Sequence, residues 1–205
     1  MMLIADGHIR QPITGIVLAG GKSTRLGQDK AVIRFMGQTL LERAISLVSQ
    51  LSERVIVVGR DPSIHGLETE WLPDDITGRG PAAGIMTALR YTQGAVLVIS
   101  CDLPFLNEKI LSKLLAERVH IRRHECMTTY CQVETGFIES LVAVYEYSAL
   151  PLLEDAVGKN LNKISRIIPE FRRRHIMYSK DEAMPFFNIN YPADLAVMQK
   201  LEGVS

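Results

Sequence analysis

The chain has 205 residues, 47% of them apolar, and its 23 Lys and Arg balance its 23 Asp and Glu to a formal net charge of zero. That length suits one core of α/β size, and the balanced charge leaves no global field to draw in nucleic acid or an anionic membrane surface. No run approaches the roughly 20 apolar residues that span a bilayer, the polar start lacks the features of an export signal, and the cysteines, Cys101, Cys126 and Cys131, have no C-x-x-C pairing. The expectation is a cytoplasmic protein with reduced thiols, no disulfide framework or zinc site, and no membrane or nucleic-acid partner.

The apolar run Ile13 to Val17 leads directly into LAGGKSTRLGQDK, Leu18 to Lys30. A strand that stops at Gly20-Gly21 and opens into Lys22, Ser23, Thr24, Arg25 and Lys30 has the chemistry of a polyphosphate loop. Glycines let backbone N–H groups approach an anion, and the cations neutralise its oxygens. Counting excludes two familiar loops. A Walker loop would need its first glycine at Ile16, and a dinucleotide fingerprint would need glycines where Lys22 and Arg25 stand. Asp29 is read as orienting the loop.

Ala31 to Phe35 alternates until Gly37 interrupts it. Thr39 to Leu51 carries apolar residues at helical spacing, and Val55 to Val58 is a β-branched run ending at Gly59, which makes a right-handed βαβ unit. Trp71 to Asp75 is a short extended stretch running into a Gly- and Pro-rich loop, followed by a helix over Ala82 to Tyr91. Ala95 to Ser100 is a second buried strand, and it ends at Cys101-Asp102-Leu103-Pro104. Asn107 is placed to cap a helix running to about Glu117. The pattern weakens from Arg118, then gives β character at Cys126 to Cys131 and a strand at Leu141 to Tyr145. Two short helices follow over Ala149 to Val157 and Leu161 to Ile168, then a strand at His175 to Tyr178. Asn188-Ile189-Asn190 precedes Pro192 and a final helix from Ala193 to Leu201.

This alternation predicts an α/β fold with a mostly parallel central sheet, and such sheets bind ligands beyond the carboxyl ends of their strands. The expected ends are Leu18, Val58, Ser100 and Tyr145, and the loop and Asp102 converge there. Asp102 is either a turn residue or a Mg²⁺ ligand. A single carboxylate suffices for Mg²⁺ when phosphates and water complete its shell. Arg172-Arg173-Arg174-His175 reads as a solvated face. None of His8, His65, His120, His124 or His175 has a partner at metal or triad spacing, and Ser23 lacks a nearby base, so nothing asks for a covalent intermediate.

LAGGKSTRLGQDKA resembles the signature of the molybdenum cofactor guanylyltransferases, LAGG-x-S-x-R-M-G-x-D-K. Gly80-Pro81-Ala82-Ala83-Gly84-Ile85, Cys101-Asp102-Leu103-Pro104, Ile138-Glu139-Ser140-Leu141 and Asn188-Ile189-Asn190 resemble four further segments of that family in order, spanning residues 13 to 195. The resemblance implies a three-layer Rossmann-like nucleotidyltransferase fold with a mostly parallel central sheet, over one domain at 1–205. It implies transfer of GMP from GTP to the phosphate of molybdopterin or molybdenum cofactor, releasing pyrophosphate. By the same resemblance, Leu18, Ala19, Gly20, Gly21, Lys30, Asp74 and Asp102 bind the nucleotide, and Arg25, Lys30 and Asp102 are catalytic. Asp102 holds Mg²⁺, and Asn188 and Asn190 meet the pterin acceptor. Cofactor-biosynthesis proteins and apo-molybdoenzymes are the implied protein partners.

Cytidylyltransferase relatives carry LAAG and a later D-x-D, so Gly20-Gly21 and Asn188-x-Asn190 favour GTP. The chain departs from the family pattern at Val58-Gly59, where some members place an Asn, at Ser140 in place of Pro, and at Tyr191 in place of Thr. Arg118 to Thr135 has no counterpart. The rival readings are a nucleotidyltransferase using CTP or another phosphate-bearing acceptor, and a non-catalytic nucleotide-binding or docking protein.

Overall fold

The computed structural model describes residues 4–5, 8–9, 13–20, 26, 29–74 and 80–202. Its central sheet has seven strands: β1 (Thr14–Leu18), β2 (Arg54–Val58), β3 (Glu70–Leu72), β4 (Val96–Ser100), β5 (Met127–Gln132), β6 (Ile138–Tyr145) and β7 (Arg173–Tyr178). They lie side by side in the order β7-β5-β6-β4-β1-β2-β3. The pairs β1–β2, β1–β4, β2–β3 and β5–β7 are parallel, and β6 runs antiparallel to both of its neighbours. The helices are α1 (Leu40–Ser49), α2 (Gly80–Thr92), α3 (Glu108–Arg118), α4 (Leu150–Gly158), α5 (Ile164–Ile167) and α6 (Pro192–Glu202). None is long and apolar enough to cross a membrane.

Alternation along the strands divides the core in two, because successive side chains leave a strand on opposite faces. Ile16, Leu18, Ile56, Val58, Val96 and Val98 pack with buried residues of α2, α4 and α5. Val17, Ala19, Val57, Leu97 and Ile99 pack on the other face with residues of α1 and α3. Helices on both faces of a mostly parallel sheet give the expected three layers. The start of α1 is fixed by a capping box: the Thr39 hydroxyl accepts from Glu42 N at 3.1 Å, and Thr39 N donates to the Glu42 carboxylate at 2.6 Å.

Some details differ from the sequence expectation. The segment expected to alternate from Ala31 begins instead as a 3₁₀ turn, Lys30–Val32, because the Asp29 carboxylate accepts from Ala31 N at 3.0 Å and caps it. A two-strand hairpin, Arg34–Phe35 with Gln38–Thr39, then turns at Gly37. Tyr145 does not end a strand at the ligand edge, since it pairs with Val96 at the start of β4. The reversal follows from the turn closed by Gly136 N donating to the Gln132 carbonyl at 2.9 Å, which sends β6 back against β5. Arg118 to Thr135, without counterpart in the family motifs, supplies the end of α3, a turn and β5.

The arginine run is also not a solvated face. Arg173 donates to the carbonyls of Ile168 and Ser165 at 2.7 and 2.5 Å, Arg174 pairs with Glu117, and Arg172 donates to the His124 carbonyl at 3.1 Å. Each arginine ties β7 to a neighbouring segment. The exposure expected of such a run gives way because carbonyls and a carboxylate stand within reach of every guanidinium.

Candidate active site

The carboxyl edge of the parallel strands assembles the site, and backbone hydrogen bonds carry the sheet past its strand ends. Ala19 N donates to the Val58 carbonyl at 3.0 Å, Cys101 N to Leu18 at 3.1 Å and Gly59 N to Leu72 at 2.9 Å. The first residues beyond β1, β2 and β4 are thereby tied to the last residues of β2, β3 and β1 before any loop begins. Leu18 and Ala19 are buried, whereas Gly20 is exposed at the rim.

On one side of this rim stands Asp74, half-buried just past β3. A Cβ on Gly20 would lie 2.9 Å from the Asp74 Oδ2, and one on Gly84 would lie 3.5 Å from its Oδ1. Gly59 closes the same space: its φ is +90°, and a Cβ there would lie 2.7 Å from Gly20 Cα and 2.9 Å from Gly20 N. Gly59 therefore has to be glycine, on both its φ and the facing backbone, whereas a Cβ on Gly20 would meet Gly59 Cα at an ordinary 3.5 Å and crowd only the Asp74 carboxylate. The Asp74 carboxylate thus lies against Gly20, Gly59 and Gly84.

On the other side, Lys30 Nζ donates to Asp102 Oδ2 at 3.0 Å and to Asn190 Oδ1 at 2.6 Å, and Asn190 Nδ2 donates to Asn188 Oδ1 at 2.8 Å. The Lys30 and Asp102 side chains are only 17% and 14% exposed, so their attraction is screened less than that of a surface pair. Asp102 stays in register because its carbonyl accepts from Ile189 N at 3.0 Å. Asp194, in the first turn of α6, holds the asparagine segment by accepting from Asn190 N and Tyr191 N at 2.9 and 2.8 Å.

Apolar contacts set these polar groups at fixed distances. Phe105, three residues past Asp102, packs edge-on against Phe35 with ring centres 5.3 Å apart and lies 5.9 Å from Phe187, which directly precedes Asn188. Leu26 and Ile189 share one buried cluster with Ile33, Phe35, Leu40 and Met198, so Leu26 and the asparagine segment rest on the same core. Beside Asp102, burial pushes the Cys101 thiol up to about 12, with the Asp102 charge adding to the effect. Cys101 is therefore neutral and unreactive at physiological pH.

The donor set suits a hard cation held mainly by a ligand's phosphates. Among the described residues, no group of three or more His, Cys, Asp or Glu forms a cage for a metal. Asp102 nevertheless offers Oδ1, which accepts no hydrogen bond among the described residues while Lys30 engages Oδ2. A single carboxylate oxygen fits a Mg²⁺ whose remaining ligands are phosphate oxygens and water.

A family profile described as MobA-like NTP transferase domain matches residues 15–175. The chain belongs to this family. Membership makes it a nucleotidyltransferase. A probable molybdenum cofactor guanylyltransferase from Carboxydothermus hydrogenoformans is 30% identical over 93% of this chain and 97% of that protein. A molybdenum cofactor biosynthesis bifunctional protein from Synechocystis is 34% identical over 89% of this chain, which spans about half (52%) of that longer relative. Among solved structures, molybdopterin-guanine dinucleotide biosynthesis protein A from Archaeoglobus fulgidus superposes with a TM-score of 0.74 at 27% identity, covering 94% of this chain and all of that one. The 2-C-methyl-D-erythritol 4-phosphate cytidylyltransferase of Thermus thermophilus, at 17% identity and a TM-score of 0.66, covers 94% of this chain and all of its own, and shares the fold.

Within this MobA-like frame, Leu18, Ala19, Gly20, Lys30, Asp74, Asp102, Asn188 and Asn190 all fall at the carboxyl edge. Lys30, Asp102, Asn188 and Asn190 form one hydrogen-bonded chain, and Gly20 adjoins Asp74. Gly21 and Arg25, with Lys22, Ser23 and Thr24, lie outside the described residues. Gly59, Arg60, Leu26 and Ile189 were not singled out as site residues from the sequence. A signal for the first two existed: Gly59-Arg60 follows a buried parallel strand, the same placement that singled out the glycine-rich loop and Asp102.

Proposed function

We propose that the chain transfers GMP from GTP to the terminal phosphate of molybdopterin, with or without molybdenum, and releases pyrophosphate. The observation that carries this reading is Lys30, whose ammonium is hydrogen-bonded at once to Asp102 at the end of β4 and to Asn190 of the asparagine segment. One cation thus joins the motif assigned to the nucleotide with the motif assigned to the pterin. The names of the guanylyltransferase relatives support the same donor and acceptor.

In this reading the acceptor phosphate attacks the α-phosphorus of GTP and the bond to the β-phosphate oxygen breaks, with pyrophosphate carrying away the electron pair. A phosphate monoester loses its second proton at about pH 6, so the nucleophile is already dianionic and needs no protein base. Catalysis is positioning and charge stabilisation, supplied by Lys30, Arg25 and the amides of the glycine-rich loop. Leu18, Ala19, Gly20, Gly21 and Asp74 hold the nucleoside, and Asn188 and Asn190 orient the acceptor. Asp102 binds Mg²⁺, which when present neutralises phosphate oxygens.

We further assign residues 1–205 to a single domain working in the cytoplasm. Three buried, unpaired thiols suit a reducing compartment. Cofactor-biosynthesis proteins and apo-molybdoenzymes are the protein partners this reaction calls for.

Nucleotide choice is tested by thermal-shift titration with GTP, CTP, ATP and UTP in Mg²⁺. A ligand at one hundred times its Kd adds roughly 2.7 kcal/mol to stability, so GTP should raise the melting temperature by several degrees more than the other three. A larger rise with CTP would overturn the guanylyl assignment.

A further inference from the structure

Arg60 lies two residues beyond β2 and outside the motifs assigned to nucleotide or acceptor, yet it reaches both ends of the glycine-rich loop. Its Nε donates to the Ala19 carbonyl at 3.3 Å, and its Nη1 pairs with the Asp29 carboxylate. Ala19 is the last residue before the paired glycines, and Asp29 immediately precedes Lys30. The Arg60 side chain is 17% exposed and that of Asp29 35%, so the contacts are partly shielded from water. His65 Nε2 stands 3.1 Å from the same Nη1, and because a guanidinium only donates, the imidazole accepts there. The 3₁₀ turn Pro62–His65, started by Asp61 accepting from Ser63 N at 2.9 Å, brings that ring back.

We propose that Arg60 is a positioning residue for the nucleotide, drawing together the neck of the phosphate loop and offsetting the charge of Asp29. This rests on the glycine-rich loop being the polyphosphate site. The fork of a guanidinium reaches two oxygens on separate segments with fixed geometry, which a single ammonium cannot do. Asp29 then passes the constraint on: one of its oxygens is held by Arg60 while the other caps Ala31 N at 3.0 Å and starts the turn that carries Lys30. Without Arg60 that carboxylate would stand uncompensated beside an anionic ligand, so its loss weakens nucleotide binding both by loosening the neck and by repulsion. Gly59, at φ +90°, sets the direction in which the chain leaves β2 for Arg60.

The test uses the full chain and the variants R60Q, R60K, D29N and R60Q/D29N, with GTP binding measured by calorimetry without acceptor and both KM values measured in turnover. R60Q should raise the Kd and KM for GTP roughly tenfold, as expected for losing a charge-assisted contact, while the acceptor KM and kcat stay within about twofold. R60K should fall between R60Q and wild type, and R60Q/D29N should bind GTP more tightly than R60Q because the uncompensated charge is gone. GTP binding by R60Q at the wild-type Kd would overturn the proposal. So would an equal rise in both KM values with a lowered melting temperature, which marks a merely structural role. Wild-type protein that binds CTP instead of GTP would sink the guanylyl assignment, and the R60Q ratio for CTP would then decide the role of Arg60. Absence of any nucleotide binding would overturn both.

Discussion

Gly59 is constrained twice, by its positive φ and by the Gly20 backbone pressed against it. Substitution by alanine would force those two segments apart, at a cost of about 1–3 kcal/mol from backbone strain alone. Gly59→Ala should therefore weaken GTP binding more than tenfold while leaving a folded protein, measured by calorimetry beside circular dichroism; unchanged affinity would show that the close approach does not shape the nucleotide site. Lys30 and Asp102 could be picked out in the sequence from their residue types beyond apolar strands, and Asn188 and Asn190 through the family resemblance. Gly59 and Arg60 offered only their place just beyond a buried parallel strand. Their importance comes from segments 39 and 31 positions away, Gly20 and Asp29, and that approach is visible only once the parallel strands align.

At the scale of elements, β6 illustrates what hydrophobic pattern leaves open. Leu141 to Tyr145 is apolar in either direction of travel, so its existence as a strand was legible and its antiparallel course was not. That course brings Glu146 to the far edge of the sheet, where it receives a two-point hydrogen bond from Arg118, Nε at 2.6 Å and Nη2 at 3.0 Å. The side chains are 10% and 21% exposed, so breaking the pair gives up a charge-assisted contact made largely out of water. Removing one partner of a buried pair costs several kcal/mol, reduced here by partial exposure to about 2–3 kcal/mol. Glu146→Gln should lower the melting temperature by roughly 5–10 °C without altering nucleotide affinity; a change below about 1 °C would mean that water already satisfies Arg118 in the variant. The buried strands β1, β2 and β4, by contrast, were readable within a residue or two, because continuous β-branched runs bounded by glycine or turn residues have few other solutions.

Across the whole molecule, the sheet brings together at one edge what the chain separates by up to 160 positions, the distance in sequence between Lys30 and Asn190. Three apolar clusters underlie the sheet and its edge, and one of them joins Leu26 to Ile189 of the asparagine segment through shared packing. Preorganisation of this kind allows a reaction without a protein base to proceed by positioning and charge alone. The family motifs made the edge legible as a site, while the shared core beneath it was hidden, since Leu26 and Ile189 are ordinary apolar residues until the fold joins them.

The direct test is turnover of purified protein with molybdopterin and Mg²⁺, following pyrophosphate and the dinucleotide product with GTP or CTP as donor, for wild type and Asp102→Ala. The account predicts stoichiometric guanine dinucleotide and pyrophosphate with GTP, little with CTP, and a loss of at least about a hundredfold in kcat for Asp102→Ala, the scale of losing one transition-state charge contact. Cytosine dinucleotide as the main product, no turnover with either donor, or undiminished turnover in Asp102→Ala would contradict it.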